Sequence, residues 1–537
     1  MAKYKLRVGL LLNSNSLPSW LFSCIKSLIN SEYAEIVLVI NNEMPSLKKK
    51  SSISKIKEVS YFLFRKIENK FHKSIPNALI KKNLNSILSN CRECSISTIE
   101  TKDLKQIDLI IHFGQNSIPK QILEQVKFGV WSYYFGDNST KRKGPFGTWE
   151  LFEGQIDTKV SILVKGNPVK HDSIIYETSF SNDKLYLNRH TNNIYWEAAH
   201  ILPRMIKELH HSESRVFFKK WLAKYNQSKI QKIQDFKVPN NFQTIKAVSI
   251  LYWKALKRVI ERHSNFEQWI LLFHIDKDEQ YPKSFLDFKK ILPPKDRIWA
   301  DPFVIGRNDN FYIFIEEFLF NEPYGKISVI EMDKHGNYKP PITILERSYH
   351  LSYPSMIEDN GELYMLPETM GNNTIELYKC IEFPYKWELE RVIKNNIKAV
   401  DSTIFKQDDF YWLFTNIEEL NGTKLPGELH LFYTDNLLSD NWISHQQNPI
   451  VTDKSCARPA GHIYTSKNRI FRPAQDCTKH YGYGMKIYEI TSLNTSNYEE
   501  CLERTIQPDW SRDMFSTHTI NASGALTVID AKIKRKR

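Results

Sequence analysis

The chain has 537 residues, which is too long for one ordinary hydrophobic core and predicts two or three domains. Its formal net charge is +13, but the lysines and arginines are spread along the chain rather than gathered in one arm or stripe, which argues against a nucleic-acid partner. Aromatic residues make up 13% of the chain, a share typical of a large β-sheet unit or of a glycan site where rings stack on sugars.

The cysteine and hydropathy patterns predict a soluble, cytoplasmic protein. Seven cysteines, an odd number without framework spacing, indicate a reducing compartment. Cys91 and Cys94 have CxxC spacing, but no second pair or histidine partner follows, so no metal is expected. The apolar run from Val8 to Leu12 is too short for a secretory signal, and no stretch approaches the roughly 18 apolar residues of a membrane span.

The first part of the chain alternates short strand-like runs with helical ones. KLRVGLLLN, LPSWLFSCIKSLIN and AEIVLVINN form a βαβ opening, and IDLIIHFG, PKQILEQV and FGVWSYYF resume the pattern after an insertion at about 45–90. The sequence therefore predicts an α/β domain over 1–225 with an open, mainly parallel sheet, whose ligands lie at the carboxyl ends of the strands. A helical connection follows over 226–266.

After Trp269 the chain changes to short aromatic and β-branched runs separated by turn residues. Four copies of a strand–turn–strand pattern start at Asp301, Tyr353, Asp401 and Arg458, about every 50 residues, which is the spacing of four-stranded propeller blades. THTINASGALTVIDAK and the strands near WILLFHID supply a fifth blade, in which the two ends close the ring. The sequence thus predicts a five-bladed β-propeller over 267–531. A solvated basic tail over 532–537 follows, which also offers a peripheral membrane contact.

The inner strands of a propeller line one central channel, so equivalent positions of successive repeats converge there. The predicted catalytic carboxylates are Asp301, Asp401 and Glu368, and the predicted substrate-binding residues are Arg458, Arg472, Asp476, Tyr353 and His518. Carboxylates and guanidiniums suit bidentate binding of polyhydroxyl or anionic sugars, and a carboxylate pair can also run acid/base glycoside cleavage. The alternative is that these charges satisfy one another as a structural ion-pair plug.

Several stretches of the C-terminal half carry a specific resemblance. RIWADPFVI, SYPSMIEDNGELYMLPE, VDSTIF, ARPAG, RPAQDC and YGYGMKIYEI resemble the propeller domain at the N-terminus of plant glucosamine inositolphosphorylceramide transferases. The same stretches are distantly similar to five-bladed glycosidases of the arabinofuranosidase and β-xylosidase type. The glycosidase resemblance implies that Asp301 serves as a base and that Asp401 and Glu368 are the other carboxylates.

The N-terminal part carries a second resemblance, from about Tyr4 to Leu209. IDLIIHFGQNSIPKQILEQVKFGVWSYYFGD and KGPFGTWELFEGQIDTKVSILVKG resemble the formyltransferase family that uses N10-formyltetrahydrofolate. This resemblance implies a folate cofactor and a catalytic centre at Ser132 and Tyr134, which stand where that family has Asn and His. Further predicted catalytic residues are Asp137 and Asp172. The predicted substrate-binding loop carries Arg142 and Trp149.

Together these observations predict a carbohydrate-processing, transferase-type enzyme. The α/β domain would transfer an acyl or formyl group to a sugar or nucleotide-sugar in surface-glycan or glycolipid biosynthesis, and the propeller would hold the glycan. Two alternatives stay open: a glycosidase-like propeller that carries the activity beside a degenerate α/β domain, and a non-catalytic glycan-binding scaffold.

Overall fold

A computed structural model of the chain describes residues 4–42, 56–88, 91–114, 118–136, 144–169, 171–225, 237–277, 280–420, 423–453 and 455–537. The chain divides into two compact units, Met1–Lys257 and Arg258–Arg537, so the division falls inside the predicted helical connection over 226–266. Of the predicted site residues, Asp137 and Arg142 lie outside the described ranges. Among the helices of the described ranges, none is both long and apolar enough to cross a membrane.

The N-terminal unit contains a seven-stranded sheet in the order β5-β3-β1-β6-β7-β8-β9, with a separate β2–β4 ribbon. The strands are β1 Leu6–Leu12, β2 Ser16–Pro18, β3 Ala34–Asn41, β4 Lys81–Asn83, β5 Arg92–Ser95, β6 Leu109–His112, β7 Val130–Phe135, β8 Asp157–Lys165 and β9 Ser173–Ser181. The neighbouring strands β5, β3, β1, β6 and β7 pair in parallel. Strand β8 pairs antiparallel with β7, and β9 pairs antiparallel with β8 at the edge of the sheet. The predicted open, mainly parallel sheet is confirmed.

Helices cover both faces of this sheet because its central strands are apolar on both sides. They are α1 Ser19–Ile29, α2 Val59–Phe71, α3 Thr101–Leu104, α4 Lys120–Gln125, α5 Thr148–Glu153, α6 Leu187–Ala198, α7 Ile201–His211, α8 Ser214–Tyr225 and α9 Asn241–Ser264. One core joins α1 and the C-terminal helices to one face, and a smaller aliphatic core joins α3 and α4 to the other.

The C-terminal unit is a five-bladed propeller, as the repeat predicted. The first three blades each have four strands in sequence order. The first two strands of the unit, β10 and β11, belong to blade V, which also contains the last strands of the chain. The strands are β10 Asn265–Ile275 and β11 Lys289–Ile291 of blade V; β12 Arg297–Arg307, β13 Asn310–Leu319, β14 Lys326–Asp333 and β15 Ile342–Leu345 of blade I; β16 Ser352–Asp359, β17 Glu362–Glu368, β18 Thr374–Glu382 and β19 Lys386–Asn395 of blade II; and β20 Ile397–Gln407, β21 Phe410–Leu420, β22 Thr423–Thr434 and β23 Ile443–Ser444 of blade III.

Blades IV and V complete the ring. They contain β24 Arg458–Pro459, β25 Tyr464–Ser466, β26 Arg469–Asp476, β27 Gly484–Leu493 and β28 Tyr498–Ile506 in blade IV, and β29 Met514–Ser516, β30 Ile520–Ser523 and β31 Leu526–Lys536 in blade V. Apolar side chains of neighbouring blades share each core; for example, Phe303 of blade I and Met356 of blade II lie in one cluster.

The ring closes where the first and last strands of the unit pair. Strand β10 pairs with β31 in antiparallel register from Asn265 opposite Lys536 to Ile275 opposite Leu526. The prediction of a solvated basic tail over 532–537 is therefore wrong for most of its length. Its charges are engaged because Lys532 lies 2.8 Å from Glu267 and the Arg535 guanidinium donates to Gln268.

Candidate functional site

Three inner strands of the propeller share one backbone irregularity. Asp301, Tyr353 and Asp401 all have positive φ, at 50°, 46° and 51°, and the strand register shifts around each of them. Left-handed conformations are costly for side chains other than glycine and tend to occur where function or packing requires them. A bulge also re-aims a side chain away from the regular pleat. The repeat that was visible in the sequence thus marks three equivalent, strained positions.

Arg458 holds the acidic side chains of blades II and III together. Its Nε donates a short hydrogen bond to Asp401 Oδ2, and a terminal nitrogen lies 3.7 Å from Glu368 Oε2. Gln475 Nε2 donates to the same Asp401 oxygen at 2.8 Å. The predicted grouping of Asp401, Glu368 and Arg458 is therefore present. Because the Asp401 carboxylate is buried and paired with a guanidinium, it is an orientated acceptor rather than a free charge.

Glu368 is the group of this cluster that favours its protonated form. Burial, together with the negative charge of Asp401, raises the pKa of Glu368 well above its usual range, and Arg458 opposes this only in part. Within the described ranges, no hydrogen-bond donor reaches its buried Oε2. A raised pKa favours the protonated form of a carboxyl, and that form can donate a hydrogen bond.

Asp301 of blade I is the second buried carboxyl with a shifted pKa. Burial raises its pKa to about 7, with contributions from Asp401, Glu316 and Asp530, while His518 acts in the opposite direction. The Thr519 hydroxyl donates to Asp301 Oδ1 at 2.7 Å. A carboxyl poised near neutral pH suits proton transfer, which agrees with the role that the resemblance implies for Asp301.

His518 and Asp530 of blade V form an ion pair next to Asp301. His518 Nδ1 donates to Asp530 Oδ2, and its Nε2 lies 3.8 Å from Asp301 Oδ1. Burial would lower the pKa of His518, but Asp530 and Asp301 outweigh burial and raise it to about 9, so the ring is charged at neutral pH. Trp269 stacks on that ring at 4.2 Å between centroids.

The three side chains of this triad, Asp301, His518 and Asp530, come within 4.8 Å of one another, close enough to hold a cation. Asp530 nevertheless already accepts hydrogen bonds from three backbone N–H groups, those of residues 301, 518 and 519. A protonated histidine has no lone pair to offer a metal. The donor set therefore fits an internal ion pair better than a metal centre.

Three other predicted substrate-binding residues, Tyr353, Arg472 and Asp476, have hydrogen-bond partners within the propeller. The Tyr353 hydroxyl is buried, accepts from the Gly461 N–H at 2.7 Å and bonds to Thr403 at 3.0 Å, so it ties three blades together. The Arg472 guanidinium is buried and donates to both carboxylate oxygens of Glu500. These contacts give Tyr353 and Arg472 structural partners inside the propeller, whereas Arg472 Nη1 is buried without a hydrogen-bond partner among the described residues, so their role as ligand contacts stays a prediction.

Asp476 also has local partners. Its Oδ1 accepts from the backbone N–H and the hydroxyl of Thr478, at 3.0 and 2.6 Å, which closes the turn after β26. This carboxylate oxygen therefore serves the turn, and the ligand contact predicted for Asp476 stays a prediction. The residues that the sequence reasoning missed are Asp530, Thr519 and Gln475. None of these three starts one of the four visible repeats, and only their hydrogen bonds identify them.

In the α/β domain, Ser132 and Tyr134 lie on one face of β7. Ser132 is in register with His112 of β6, so these two side chains are neighbours on that face. Trp149 is buried and its ring nitrogen donates to the Lys237 carbonyl at 3.0 Å, which supports a packing role. The strand register therefore places the imidazole of His112 beside Ser132.

Asp172 lies at the amino ends of the parallel strands, away from the predicted catalytic residue Tyr134. It precedes β9 and pairs with Lys165 at 3.3 Å, and Lys165 is in register with Val130 at the start of β7. Tyr134 is near the other end of β7. The prediction that Asp172 joins Tyr134 is therefore wrong, because β8 and β9 run antiparallel to β7 and carry Asp172 to the amino edge of the parallel strands.

Three polar residues, Asn13, Asn42 and His112, lie at the point where the strand order of the sheet reverses. From β1 the chain runs outwards to β3 and β5, then returns to β6 on the other side, and ligands of open α/β sheets bind at such a point. Asn13 and Asn42 follow β1 and β3 there, and Asn42 N–H donates to the Leu12 carbonyl at 2.7 Å. In the described ranges, Asn13 Oδ1, Asn42 Nδ2 and His112 Nε2 are buried without a hydrogen-bond partner.

The space between these side chains is kept open by Gly114. A Cβ added to Gly114 would stand 2.7 Å from His112 Nε2 and 2.8 Å from Asn13 Nδ2. Burial, together with Lys165, lowers the pKa of His112 to about 4, so its ring is neutral at neutral pH. Buried polar atoms without partners are costly and suggest that a ligand supplies what the protein does not.

Comparisons with known proteins fall on the propeller. Residues 293–513 match the family model described as glucosamine inositolphosphorylceramide transferase 1, N-terminal. Over 204 residues the chain is 32% identical to the protein of that name from Oryza sativa subsp. japonica and 33% identical to the one from Arabidopsis thaliana. The aligned segment covers 37% of this chain but only 27% and 26% of those two proteins, so the chain spans about a quarter of the length of the curated relatives it matches.

Solved structures show a weaker likeness. Zg3597, a family 117 glycoside hydrolase of Zobellia galactanivorans, matches with a TM-score of 0.33 and 11% identity, over 50% of this chain and 90% of that chain. The α-L-arabinanase of Cellvibrio cellulosa matches with a TM-score of 0.29 and 14% identity, over 38% of this chain and 77% of that chain. Likeness at this level says nothing about activity. The family match nevertheless confirms the resemblance drawn from the sequence: residues 293–513 form a propeller domain similar to the N-terminal domain of glucosamine inositolphosphorylceramide transferase 1.

Proposed function

We propose that this chain is a carbohydrate-processing, transferase-type enzyme whose propeller binds a sugar at the opening formed by its inner strands. The observation that carries the proposal is a set of three buried carboxyl groups, Asp301, Glu368 and Asp401: the pKa values of Asp301 and Glu368 are raised, and Arg458 pairs with Asp401 and lies 3.7 Å from Glu368. The names of the matched relatives contain both a sugar and a transferase, which supports the same class of substrate. Surface-glycan or glycolipid assembly is the setting we propose.

The cluster has the groups that recognition of a sugar requires. Asp401 offers carboxylate oxygens in a fixed orientation, and Arg458 offers a guanidinium donor beside them, so neighbouring hydroxyls of one ring can both donate and accept. The raised pKa of Glu368 favours a general acid role, and the pKa of Asp301 near 7 suits proton transfer. The charges therefore supply more than the mutual neutralisation expected of a structural plug.

The binding test uses the full-length chain and a glycan array, followed by calorimetry on the glycans retained. The variant Asp401→Asn should lose most of the retained signal, because the charged acceptor and its pairing with Arg458 are both removed. Asp408→Asn is the matched control, since Asp408 also has positive φ but lies exposed in the turn of the same blade. Equal glycan binding by wild type and Asp401→Asn would contradict the proposed site.

A turnover test separates the three functional alternatives. If the propeller itself cleaves glycosides, Asp301→Asn should abolish hydrolysis of an aryl glycoside that wild type cleaves. If the propeller only holds the acceptor of a transfer reaction, the same variant should raise KM for that acceptor and spare kcat. A glycan-binding scaffold would show altered binding and no turnover with either protein. We favour the second outcome because the matched relatives are named as transferases.

For the α/β domain we propose acyl or formyl transfer, with N10-formyltetrahydrofolate as the donor of the formyl group. The residues present fit such a ligand in one respect: His112, which is in register with Ser132, and Asn13 and Asn42 offer buried polar atoms that have no hydrogen-bond partner within the described part of the chain. His112 is neutral at neutral pH and can accept or donate a hydrogen bond there. A nucleotide-sugar is the proposed acceptor.

Folate binding can be measured by thermal shift with 5-formyltetrahydrofolate as the probe. At a hundredfold excess over its dissociation constant, a ligand that binds only the native state stabilises it by about 2.7 kcal/mol. Gly114→Ala should remove the shift because its Cβ fills the space beside His112. Gly306→Ala is the control, since the added Cβ would meet nothing closer than 3.5 Å. No shift with wild type would argue against formyl transfer.

Cytoplasmic location and the absence of a nucleic-acid partner stay predictions. All seven cysteines are free, which a reducing compartment permits.

A further inference from the structure

Helix α9 exposes a wide apolar face. Phe242, Ile245, Tyr252 and Trp253 are 76%, 58%, 63% and 65% exposed, and their spacing of three, seven and one residues places them on one side of the helix. The opposite side is fixed to the domain, because Thr244, Ala247 and Leu251 are buried. Large apolar side chains that stay in water on an anchored helix mark an interaction surface.

Helix α2 adds a second exposed apolar face next to the first. Val59, Phe62 and Leu63 are each more than half exposed. The beginnings of the two helices are tied together, since the Asn241 amide accepts from Ser60 N–H at 2.9 Å and donates to the Ile56 carbonyl at 2.9 Å. Phe64 of α2 and Leu251 of α9 also pack in one small cluster. The exposed faces of α2 and α9 therefore belong to one surface of the N-terminal unit.

Basic residues border this surface. Lys246 and Lys254 of α9 are exposed: by helical spacing Lys246 lies next to Trp253, and Lys254 lies next to Ile250, which is 42% exposed. Lys66 and Lys70 of α2 are exposed as well. Glu68, which shares α2 with them, is buried and accepts from the Asn188 N–H, so it does not balance the lysines at the surface. An apolar stripe with Trp and Tyr, bordered by lysines, is typical of helices that lie in the interface of an anionic membrane.

We propose that the surface formed by α2 and α9 docks this protein on an anionic lipid membrane, with Phe242 and Trp253 inserted and the lysines facing the headgroups. A second copy of the chain is a poorer occupant, because it would bring the lysines of the two copies together. The basic residues at 532–536 do not provide this contact, since they belong to β31 and two of them pair with Glu267 and Glu261. The inference does not depend on the sugar site.

The test is flotation of the full-length chain with vesicles of phosphatidylcholine, with and without phosphatidylserine. Wild type should float with the vesicles that contain phosphatidylserine, and less so at high salt. Phe242→Ser/Trp253→Ser should weaken this binding at least about tenfold, because two inserted apolar side chains are lost. Lys246→Glu/Lys254→Glu should reduce binding to the anionic vesicles alone.

Leu389→Ser is the matched control, because Leu389 is a large apolar residue that is 49% exposed on a propeller strand. It should float as wild type does. The proposal is overturned if wild type does not bind vesicles with phosphatidylserine, or if Phe242→Ser/Trp253→Ser binds as well as wild type. It is equally overturned if sedimentation velocity shows a wild-type dimer that the same double variant dissociates, since the surface would then join two copies. Glycan binding, measured in parallel, should be unchanged in all of these variants.

Discussion

Replacing Arg458 by methionine tests whether this guanidinium holds the acidic cluster together. Removing one partner of a buried ion pair costs about 3–5 kcal/mol, because the other charge is left buried and uncompensated. The Arg458 side chain is 19% exposed and the Asp401 side chain 3% exposed, so the pair is not fully buried. We therefore expect a loss of unfolding free energy at the lower end of this range, about 3 kcal/mol. At about 2–4 °C per kcal/mol for a domain of this size, the propeller transition should fall by about 6–12 °C.

The assay is scanning calorimetry at pH 7, which resolves the propeller transition from that of the α/β domain. The double variant Asp401→Asn/Arg458→Met should regain part of the loss, since no unpaired charge remains in it. Arg469→Met is the matched control, because Arg469 pairs with Glu489 and Glu503 at the surface, where such pairs contribute little. The reasoning is refuted if Arg458→Met melts no lower than Arg469→Met, or if the double variant is less stable than Arg458→Met.

Three further outcomes are expected. The pKa of His518 is raised to about 9, so its positive charge stabilises the fold fully below about pH 6.5, and this stabilisation is lost as the pH rises through 9. In His518→Gln the melting temperature should therefore decline less between about pH 6.5 and pH 9 than it does in wild type. Arg472→Ala should lower the propeller melting temperature by several degrees, because Glu500 is left buried and unpaired, yet leave glycan affinity unchanged in the cold; lost affinity would assign Arg472 to the site after all. Asn42→Leu should raise the stability of the ligand-free α/β domain by about 1 kcal/mol in urea unfolding, since it removes a buried Nδ2 that has no hydrogen-bond partner among the described residues, and a destabilised variant would show that Asn42 has a structural role.

The sequence identified the propeller site through its period. Residues about 50 positions apart, such as Asp301, Tyr353 and Asp401, fall on equivalent inner strands because each of these blades is built from four strands in sequence order. A repeat gives the strand on which a residue lies, but not the direction of its side chain. Arg472 shows the difference, because its partner Glu500 lies two strands further out in the same blade and nothing in the local sequence links them.

The α/β site was harder to predict, for a topological reason. Asp172 lies close in sequence to the predicted catalytic loop, but the antiparallel turn from β8 to β9 carries it to the opposite edge of the sheet. His112 and Asn13 lie about a hundred residues apart in the chain and meet only because β1 and β6 are neighbours in a parallel sheet. Their spacing along the chain does not indicate that the two residues are neighbours in the fold.

The pairing of β10 with β31 has a consequence for how the propeller can be combined with other domains. The polypeptide enters and leaves the ring through adjacent strands of the same blade, so the ring is complete without any neighbouring domain. A domain whose first and last residues lie side by side can be joined to different domains without a change in its own strand pairing. Here the propeller follows an α/β domain, and in the relative from Arabidopsis thaliana the aligned segment covers 26% of that protein.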